Sequence, residues 1–164
     1  MKTQIDLMKS TDWLEVSRIY QEGIATGLAT FETTVPSWEE WDEARVSHSR
    51  LVARGDGVLG WAALSVVSKR PCYAGVAEVG IYVSAPARGR GVGSALLDAL
   101  IESSEAHKVW TLQAATIADN SPSLALLEKC GFRVVGRRER IGKLRGIWRD
   151  TVLTERRSKI VGTD

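Results

Sequence analysis

Glu78-Val-Gly-Ile-Tyr-Val-Ser-Ala-Pro-Ala-Arg-Gly-Arg-Gly-Val-Gly-Ser94 is the stretch of sequence that decides the fold. Residues 76–83 are mostly β-branched, aromatic or small, which predicts a buried strand that ends before Pro86. Apolar residues then recur at helical spacing over residues 91–106. The glycine-rich loop between strand and helix predicts an anion site, because glycines let a ligand approach the free N–H groups of a helix start. The predicted anion-binding residues are Arg88, Gly89, Arg90, Gly91, Val92, Gly93 and Ser94.

Two other phosphate-binding patterns also place glycines between a strand and a helix. A P-loop needs Lys and then Ser or Thr after its last glycine, whereas Gly93 is followed by Ser94 and Ala95. A dinucleotide-binding loop follows the first strand and has an acidic residue about 20 residues further on. This loop lies in mid-chain, and the nearest acidic residues, Glu102 and Glu105, lie on the predicted helix itself. Both alternatives are therefore rejected.

Further motifs occur in a fixed order along the chain. They are Thr30-Phe31-Glu32, Arg70-Pro71-x-Tyr73, Glu78-Val79-x-Ile81-Tyr82-Val83, Asn120 with Ser123, Glu128-Lys129-x-Gly131-Phe132 and Trp148-x-Asp150. With Arg88-x-x-Gly91-x-Gly93, these motifs make the chain resemble the GCN5-related N-acetyltransferase (GNAT) superfamily over almost its whole length. Within that superfamily it is most similar to the phosphinothricin and methionine sulfone acetyltransferase branch.

The resemblance implies a fold, a co-substrate and several site residues. The implied fold is α+β, with layers of helices flanking a mixed central sheet, and the co-substrate is acetyl-CoA, whose pyrophosphate occupies the loop. In this fold the central strand splays from its neighbour and frees the backbone of Ile81, Tyr82 and Val83 for the thioester and pantetheine. Asn120 matches the side chain that binds the pantetheine arm, and Ser123 lies nearby in sequence. Relatives are frequently homodimers.

Local patterns predict the same order of elements, βααβββαβαββ. Asp56-Gly57 between two apolar runs is typical of a tight hairpin turn. Ser37 with Glu40 predicts a capping box that starts one helix, and Asp12 with Glu15 predicts another.

Composition limits the class of protein. With 164 residues, 44% apolar and 26% charged, the chain is expected to form a single N-acetyltransferase domain over residues 1–164. Neither a membrane span nor an export signal is predicted, and the two cysteines fit a reducing cytoplasm. No metal site is expected. The Arg-rich segment 137–157 has no accompanying recognition pattern, so we expect a solvated face and no nucleic-acid partner.

Acetyl transfer to an amine requires a base, because the amine is normally protonated at pH 7. Glu78 is the predicted catalytic base, since it lies on the central strand and matches the acidic residue of the family. Many relatives carry a Tyr, and this branch often a His, as general acid where this chain has Leu127. Leu127 cannot donate a proton, so the thiolate leaves unassisted, or Tyr82, Tyr73 or water takes that role.

The substrate is expected to be a small amine, amino-acid-like and of the phosphinothricin, methionine sulfone or methionine sulfoximine type. Predicted substrate-binding residues are Phe31, Glu32, Arg70, Tyr73 and Lys143, with Arg70 and Lys143 placed to hold anionic groups. The alternatives are a protein N-terminus or a polyamine as acceptor, or a module that binds acyl-CoA without catalysis. A polyamine site would be ringed with acids, which the predicted cations disfavour.

Overall fold

A computed structural model describes residues 3–164, and their elements follow the predicted order βααβββαβαββ. The strands are β1 Gln4–Leu7, β2 Leu51–Gly55, β3 Gly57–Val66, β4 Val76–Val83, β5 Thr111–Ile117, β6 Arg133–Leu144 and β7 Ile147–Arg157. The helices are α1 Trp13–Thr26, α2 Trp38–Ala44, α3 Val92–Ala106 and α4 Ser121–Lys129. The predicted α+β class is confirmed.

The strands form one mixed sheet in the order β1-β2-β3-β4-β5-β7-β6. Only β4 and β5 are parallel neighbours in this sheet, and every other pair is antiparallel. The hairpin predicted from Asp56-Gly57 joins β2 to β3, and Gly57 has a φ of +87° that a side chain would make costly. The central position of β4 gives it a neighbour on each edge and a helical layer on each face.

Two apolar clusters cover the two faces of the sheet. Helix α3 buries Leu96, Leu97 and Leu100 against one face. Helices α1 and α2 cover the other face beside β2, β3 and β4, where Trp41 and Trp61 are buried in an aromatic cluster. The sheet is therefore the middle layer, and residues at alternate positions of β4 point into different helical layers.

The capping box predicted for α2 is present. The N–H of Glu40 donates to Ser37 Oγ, and the N–H of Ser37 donates to Glu40 Oε2. This reciprocal pair fixes the start of α2, which ends at Ala44 and is followed by Arg45 in an extended conformation.

The capping box predicted for α1 is wrong. The carboxylate of Asp12 accepts hydrogen bonds from Arg54 Nη1 and Nη2 at 2.9 and 2.8 Å and caps only a preceding turn through the N–H of Lys9. Glu15 accepts a hydrogen bond from the N–H of Val58 instead. A guanidinium is a stronger partner for a carboxylate than a neutral N–H group is, so the contact with β2 prevails over the local cap. Arg54 also holds the pKa of Asp12 below its ordinary value.

Replacing Asp12 by Asn is expected to lower the free energy of unfolding by about 2–3 kcal/mol, because Arg54 loses the more buried of its two carboxylate partners and keeps only Asp6. A carboxyl with a lowered pKa stabilises the fold above the pKa of the unfolded chain, about 4, and loses that contribution as the pH falls further. Acid unfolding should therefore be less steep in the variant, as urea titrations at several pH values would measure. Asp119→Asn, which removes an exposed ion pair with Arg149, is the control and should change stability by under about 0.5 kcal/mol. Equal losses in both variants would contradict the assignment.

Residues 3–164 lack a membrane-spanning helix and a cluster of metal-binding side chains. In that part of the chain, no helix has both the length and the apolar character that crossing a bilayer requires. The same residues contain no group of three or more His, Cys, Asp or Glu side chains placed to hold a metal ion. Cys72 and Cys130 are free thiols.

Candidate active site

The two parallel strands of the sheet separate along their length. Pairing is confined to residues 76–78 of β4 and 111–113 of β5, although β4 continues to Val83 and β5 to Ile117. The later halves of both strands therefore border an open gap in the middle of the sheet.

The gap exposes backbone donors on β4. The N–H of Ser84 donates to Leu59 O on the β3 side at 2.8 Å. Since N–H directions alternate along a strand, the N–H of Tyr82 also faces β3, and those of Ile81 and Val83 face the gap. Of the three predicted backbone positions, two thus offer their N–H to a ligand in the gap.

A cavity of about 510 Å³ extends from this gap to the glycine-rich loop. The predicted cofactor residues that line it are Ile81, Tyr82, Val83, Arg88, Gly89, Gly91, Gly93, Ser94, Asn120 and Ser123. Arg90 is exposed and is not among the lining residues, and the side chain of Val92 is buried in the core with 3% exposure. Val92 can therefore offer a ligand only its backbone.

The glycine-rich loop forms an open cradle at the start of α3. Gly89 and Gly91 have φ values of +72° and +81°, in the left-handed region that side chains rarely adopt. Among residues 3–164, no heavy atom beyond the chain neighbours lies within 4 Å of a Cβ built at either glycine, so a side chain there would point into open space. The first N–H groups of α3 have no partner inside the helix and carry the positive end of its dipole. The cradle therefore suits a phosphate group.

Two side chains hold the segment between β4 and this loop. Arg88 Nε donates to Val83 O at 3.0 Å, which ties the loop back to the end of β4. Glu22 of α1 accepts a hydrogen bond from the N–H of Ala85 at 2.8 Å. Sequence reasoning missed Glu22, because nothing in the sequence distinguishes it from other acidic residues on a helix surface.

Asn120 forms the N-cap of α4 at the far wall of the cavity. Its Oδ1 accepts a hydrogen bond from the N–H of Ser123 at 3.3 Å, and its Nδ2 donates to Leu28 O at 3.2 Å. These bonds fix the amide at the edge of the gap and leave a second Nδ2 hydrogen for another acceptor.

Glu78 lies at the last paired position of β4, where the gap begins. Its side chain is half-buried, and Gln113 Nε2 of β5 lies 3.4 Å from Glu78 Oε1. Sequence reasoning missed Gln113, although a signal was present: it is the one amide in a strand of apolar and hydroxyl residues. The carboxylate therefore has one neutral donor and room for another partner.

Tyr82 and Leu127 are the two buried residues to be considered for the role of general acid. The ring of Tyr82 stacks on Trp61 with centroids 4.7 Å apart and lies 4.8 Å from the ring of Tyr20. Burial raises the pKa of Tyr82, so its hydroxyl keeps its proton at neutral pH. Leu127 is 1% exposed and lines the inner part of the gap with an apolar side chain.

The predicted substrate residues Phe31 and Lys143 lie on neighbouring segments. The ring of Phe31 packs against Gly142 of β6 so closely that a Cβ built there would lie 2.7 Å from Phe31 Cε1. Lys143 follows Gly142, and its Nζ lies 5.4 Å from the ring of Trp148. Glu32 is exposed beside Phe31. The structure thus brings the loop after α1 against the β6–β7 hairpin.

Arg70 and Tyr73 form a separate pair in the connection between β3 and β4. The guanidinium of Arg70 lies 5.5 Å from the ring centroid of Tyr73, and both side chains are exposed. None of the five predicted substrate residues lines the cavity of about 510 Å³. They are placed outside it, in two groups.

These features fit the co-substrate that the sequence resemblance implies. The open cradle suits a pyrophosphate, the two N–H groups of β4 suit carbonyl oxygens of an extended arm, and Glu78 lies where β4 and β5 begin to separate. The arrangement defines an acyltransferase site that takes its acyl group from a CoA thioester.

Comparison with known proteins gives the family. The model of the Acetyltransferase (GNAT) family matches residues 13–132, and the chain belongs to this family. The chain is an N-acetyltransferase, and acetyl-CoA is its acetyl donor.

Three relatives illustrate the similarity. Phosphinothricin N-acetyltransferase of Alcaligenes faecalis is 33% identical over 160 residues, covering 93% of this chain and 81% of that protein. The L-methionine sulfoximine/L-methionine sulfone acetyltransferase of Pseudomonas aeruginosa is 30% identical over 139 residues, covering 80% and 81%. A crystal structure of a phosphinothricin acetyltransferase from Sinorhizobium meliloti in complex with AcCoA has a TM-score of 0.90 and 28% identity, covering 100% of this chain and 92% of that one.

Proposed function

We propose that the protein acetylates the primary amine of a small amino-acid-like substrate, of the phosphinothricin, methionine sulfone or methionine sulfoximine type. The observation that carries this proposal is the position of Glu78 at the point where β4 and β5 begin to separate, at one end of the gap whose other end reaches the glycine-rich loop. The names of the relatives at about 30% identity support the class of substrate. Strands β6 and β7 complete the sheet beyond the matched residues, so we include residues 1–164 in one N-acetyltransferase domain.

Glu78 is the proposed catalytic base. Acetyl-CoA supplies an activated acetyl group as a thioester, and the amine must lose a proton before its nitrogen can attack. The carboxylate accepts that proton directly or through one water. Gln113 holds Oε1 of Glu78 through a neutral hydrogen bond and leaves the other oxygen for the amine.

Backbone groups are the proposed ligands of the acetyl donor. The N–H groups of Ile81 and Val83 donate to carbonyl oxygens in the gap, where developing negative charge is stabilised. Asn120 and Ser123 bind the pantetheine arm from the opposite wall. The loop from Arg88 to Ser94, including Gly89, Arg90, Gly91, Val92 and Gly93, binds the pyrophosphate.

The CoA thiol is proposed to leave as a thiolate without a general acid. Leu127 has no proton to give, and the ring of Tyr82 is held in the aromatic cluster by Trp61 and Tyr20. A thiol with an ordinary pKa of about 8.5 is a good enough leaving group to depart as its anion.

The proposed substrate side carries more positive than negative charge. Arg70 and Lys143 present cations above the rings of Tyr73 and Trp148, and Glu32 is the one acid among the five proposed substrate residues. Phe31 packs against the hairpin that bears Lys143. This balance favours an acceptor with anionic groups over a polyamine.

A panel of amines tests the proposal. Thiol release from acetyl-CoA would be followed with phosphinothricin, methionine sulfone, methionine sulfoximine, spermidine and a short peptide. Turnover confined to the three amino-acid analogues is the expected result. Turnover with spermidine or the peptide alone would overturn the proposed substrate class.

We also propose that two copies of the chain form a homodimer through the β6–β7 hairpin. Its apolar side chains are exposed, with Ile147 at 55% and Trp148 at 54%, and exposed apolar patches of this kind mark interfaces. Trp148→Glu is therefore expected to convert a dimer into monomers in sedimentation velocity, because a charge would be buried against the second copy. Leu14→Glu, at an exposed position of α1, is the control. A monomeric wild-type protein would contradict the proposal.

A cytoplasmic location is proposed as well. Cys72 is exposed and Cys130 is half-buried, and both are free thiols. An exposed free thiol persists in a reducing compartment and is oxidised in the secretory environment. Cell fractionation with an antibody to the protein would test this location, and recovery from an extracytoplasmic fraction would contradict it.

A further inference from the structure

A row of polar side chains crosses the sheet at the level of the proposed base. Ser65 of β3 lies opposite Glu78, and Glu78 lies opposite Gln113 of β5. Residues directly opposite each other project from the same face of a sheet, so these three side chains are neighbours. Arg45 extends the row, because its Nη1 donates to Ser65 Oγ at 3.1 Å. In this row, the side chain of Ser65 lies between the guanidinium of Arg45 and the carboxylate of Glu78.

The chain itself fixes Arg45 at this position. The N–H of Val46 donates to Leu64 O at 2.9 Å, which holds the segment after α2 alongside β3. The guanidinium lies 5.6 Å from the ring centroid of Trp41. Arg45 also contributes to the electrostatic environment of Tyr82, whose ring lies on the same face of β4 as Glu78. The cation is thus held on the face of the sheet from which the side chain of Glu78 projects.

Arg45 uses one of its five guanidinium donors, whereas its neighbour Arg50 uses four. Both guanidinium groups lie over Trp41, at 5.6 and 5.4 Å. Arg50 donates to the carbonyl oxygens of Val46, Asp42 and Arg45 and to the carboxylate of Asp42. Arg45 donates to Ser65 alone, its buried Nε has no partner, and it forms none of the ion pairs in residues 3–164. A half-buried guanidinium without an anion is an incomplete arrangement.

The spacing in the row suits an α-amino acid. The Cβ atoms of Ser65 and Glu78 are about 5 Å apart in such a pair, and Arg45 Nη1 lies 3.1 Å beyond Ser65 Oγ. Two hydrogen bonds of about 2.9 Å, with the short span from an α-amine to its carboxylate, bridge roughly 6–9 Å. An amine directed at Glu78 would therefore carry its own carboxylate towards Arg45.

We propose that Arg45 binds the α-carboxylate of the acceptor amino acid, so that the same molecule spans Arg45 and Glu78. This inference rests on the proposed function and names the group that selects amino acids among amines. Arg45 is a specificity residue for the acceptor and takes no part in proton transfer. Ser65 orients its guanidinium. Arg70 and Lys143 lie beside exposed rings and, like Arg45, do not line the cavity of about 510 Å³; they are left for the polar group at the distal end of the substrate.

The test compares methionine sulfone with the amine that remains when its carboxyl group is removed. We expect the wild-type protein to prefer methionine sulfone in kcat/KM by at least about tenfold, since a site built to bind a group discriminates against analogues that lack it. Arg45→Gln should lower this preference at least about tenfold through the KM for methionine sulfone. Its KM for acetyl-CoA should change less than about twofold. Arg45→Lys, which keeps the charge without the planar pair of donors, should retain part of the preference.

Arg50→Gln is the matched control, because Arg50 also lies over the ring of Trp41 and its donors serve the chain itself. This variant is expected to lose thermal stability and to keep the preference for the carboxylate. If Arg45→Gln does not fold, Arg45→Lys and Ser65→Ala are measured in its place. Each should reduce the preference for methionine sulfone over the amine that lacks the carboxyl group. An unchanged preference in the folded Arg45 variants would overturn the inference and leave the proposed function standing. A wild-type protein that acetylates neither compound would overturn the proposed function and this inference with it.

Discussion

Replacing Glu78 by Gln is expected to lower kcat/KM for the amine by roughly 100-fold or more, the usual effect of removing a general base. Glutamine has nearly the same shape and can still accept the hydrogen bond from Gln113 Nε2, so the variant should fold and bind acetyl-CoA as the wild type does. It cannot take a proton from the ammonium group. Steady-state kinetics with methionine sulfone and acetyl-CoA would measure the two effects separately.

The pH dependence of the Glu78→Gln variant gives a second readout. The fraction of free amine rises as the pH approaches the pKa of the amine, so the defect should shrink at alkaline pH if Glu78 acts as the base. Glu102→Gln is the control: it removes an exposed acid of α3 that does not line the cavity and should leave the pH profile unchanged. A loss of less than tenfold at neutral pH, or a defect that does not depend on pH, would contradict the role of Glu78.

Replacing Gly91 by Val is expected to raise the KM for acetyl-CoA by about 100-fold or to abolish saturation. The glycine has a φ of +81° in the cradle, where a branched side chain is strained and would occupy the space proposed for the pyrophosphate. Isothermal titration with CoA would measure the loss directly.

Gly146 provides a matched control for the loop. It has nearly the same φ, +82°, and a Cβ built there likewise meets nothing within 4 Å among residues 3–164 beyond its chain neighbours, but it lies in the β6–β7 turn. Gly146→Val should therefore carry the same backbone strain and similar loss of stability with little change in CoA affinity. Equal losses of CoA affinity in both variants would show that the effect is one of folding.

The elements of the fold are predictable from the sequence because their signals are local. Asp56-Gly57 is typical of the tight turn in a hairpin and is found between β2 and β3. Ser37 with Glu40 is typical of a helix start and is found at the start of α2. The glycine-rich loop is equally local, since its strand, turn and helix are consecutive. Most of the predicted cofactor residues lie within or next to such segments, and the cavity brings them together.

Features that depend on register between distant segments could not be predicted. Asp12 was expected to cap α1, but its partner is Arg54 on β2, 42 positions away in the chain. Likewise, the register between β3, β4 and β5 is what places Ser65, Glu78 and Gln113 opposite one another. Arg45, in the segment after α2, contacts this row through a hydrogen bond to Ser65. A one-residue slip in a strand would turn the same side chains to the opposite face, so sequence spacing alone does not identify them.

The most direct test of the account is to identify the products after the protein is incubated with acetyl-CoA and methionine sulfone. Mass spectrometry would follow the amine and the thiol in the same sample. We predict one acetyl group on the amine nitrogen for each CoA released, and almost no product with Glu78→Gln at neutral pH. Intact acetyl-CoA despite tight binding, or its hydrolysis to acetate with the amine unmodified, would contradict the claim that this site transfers acetyl groups to amino-acid-like amines.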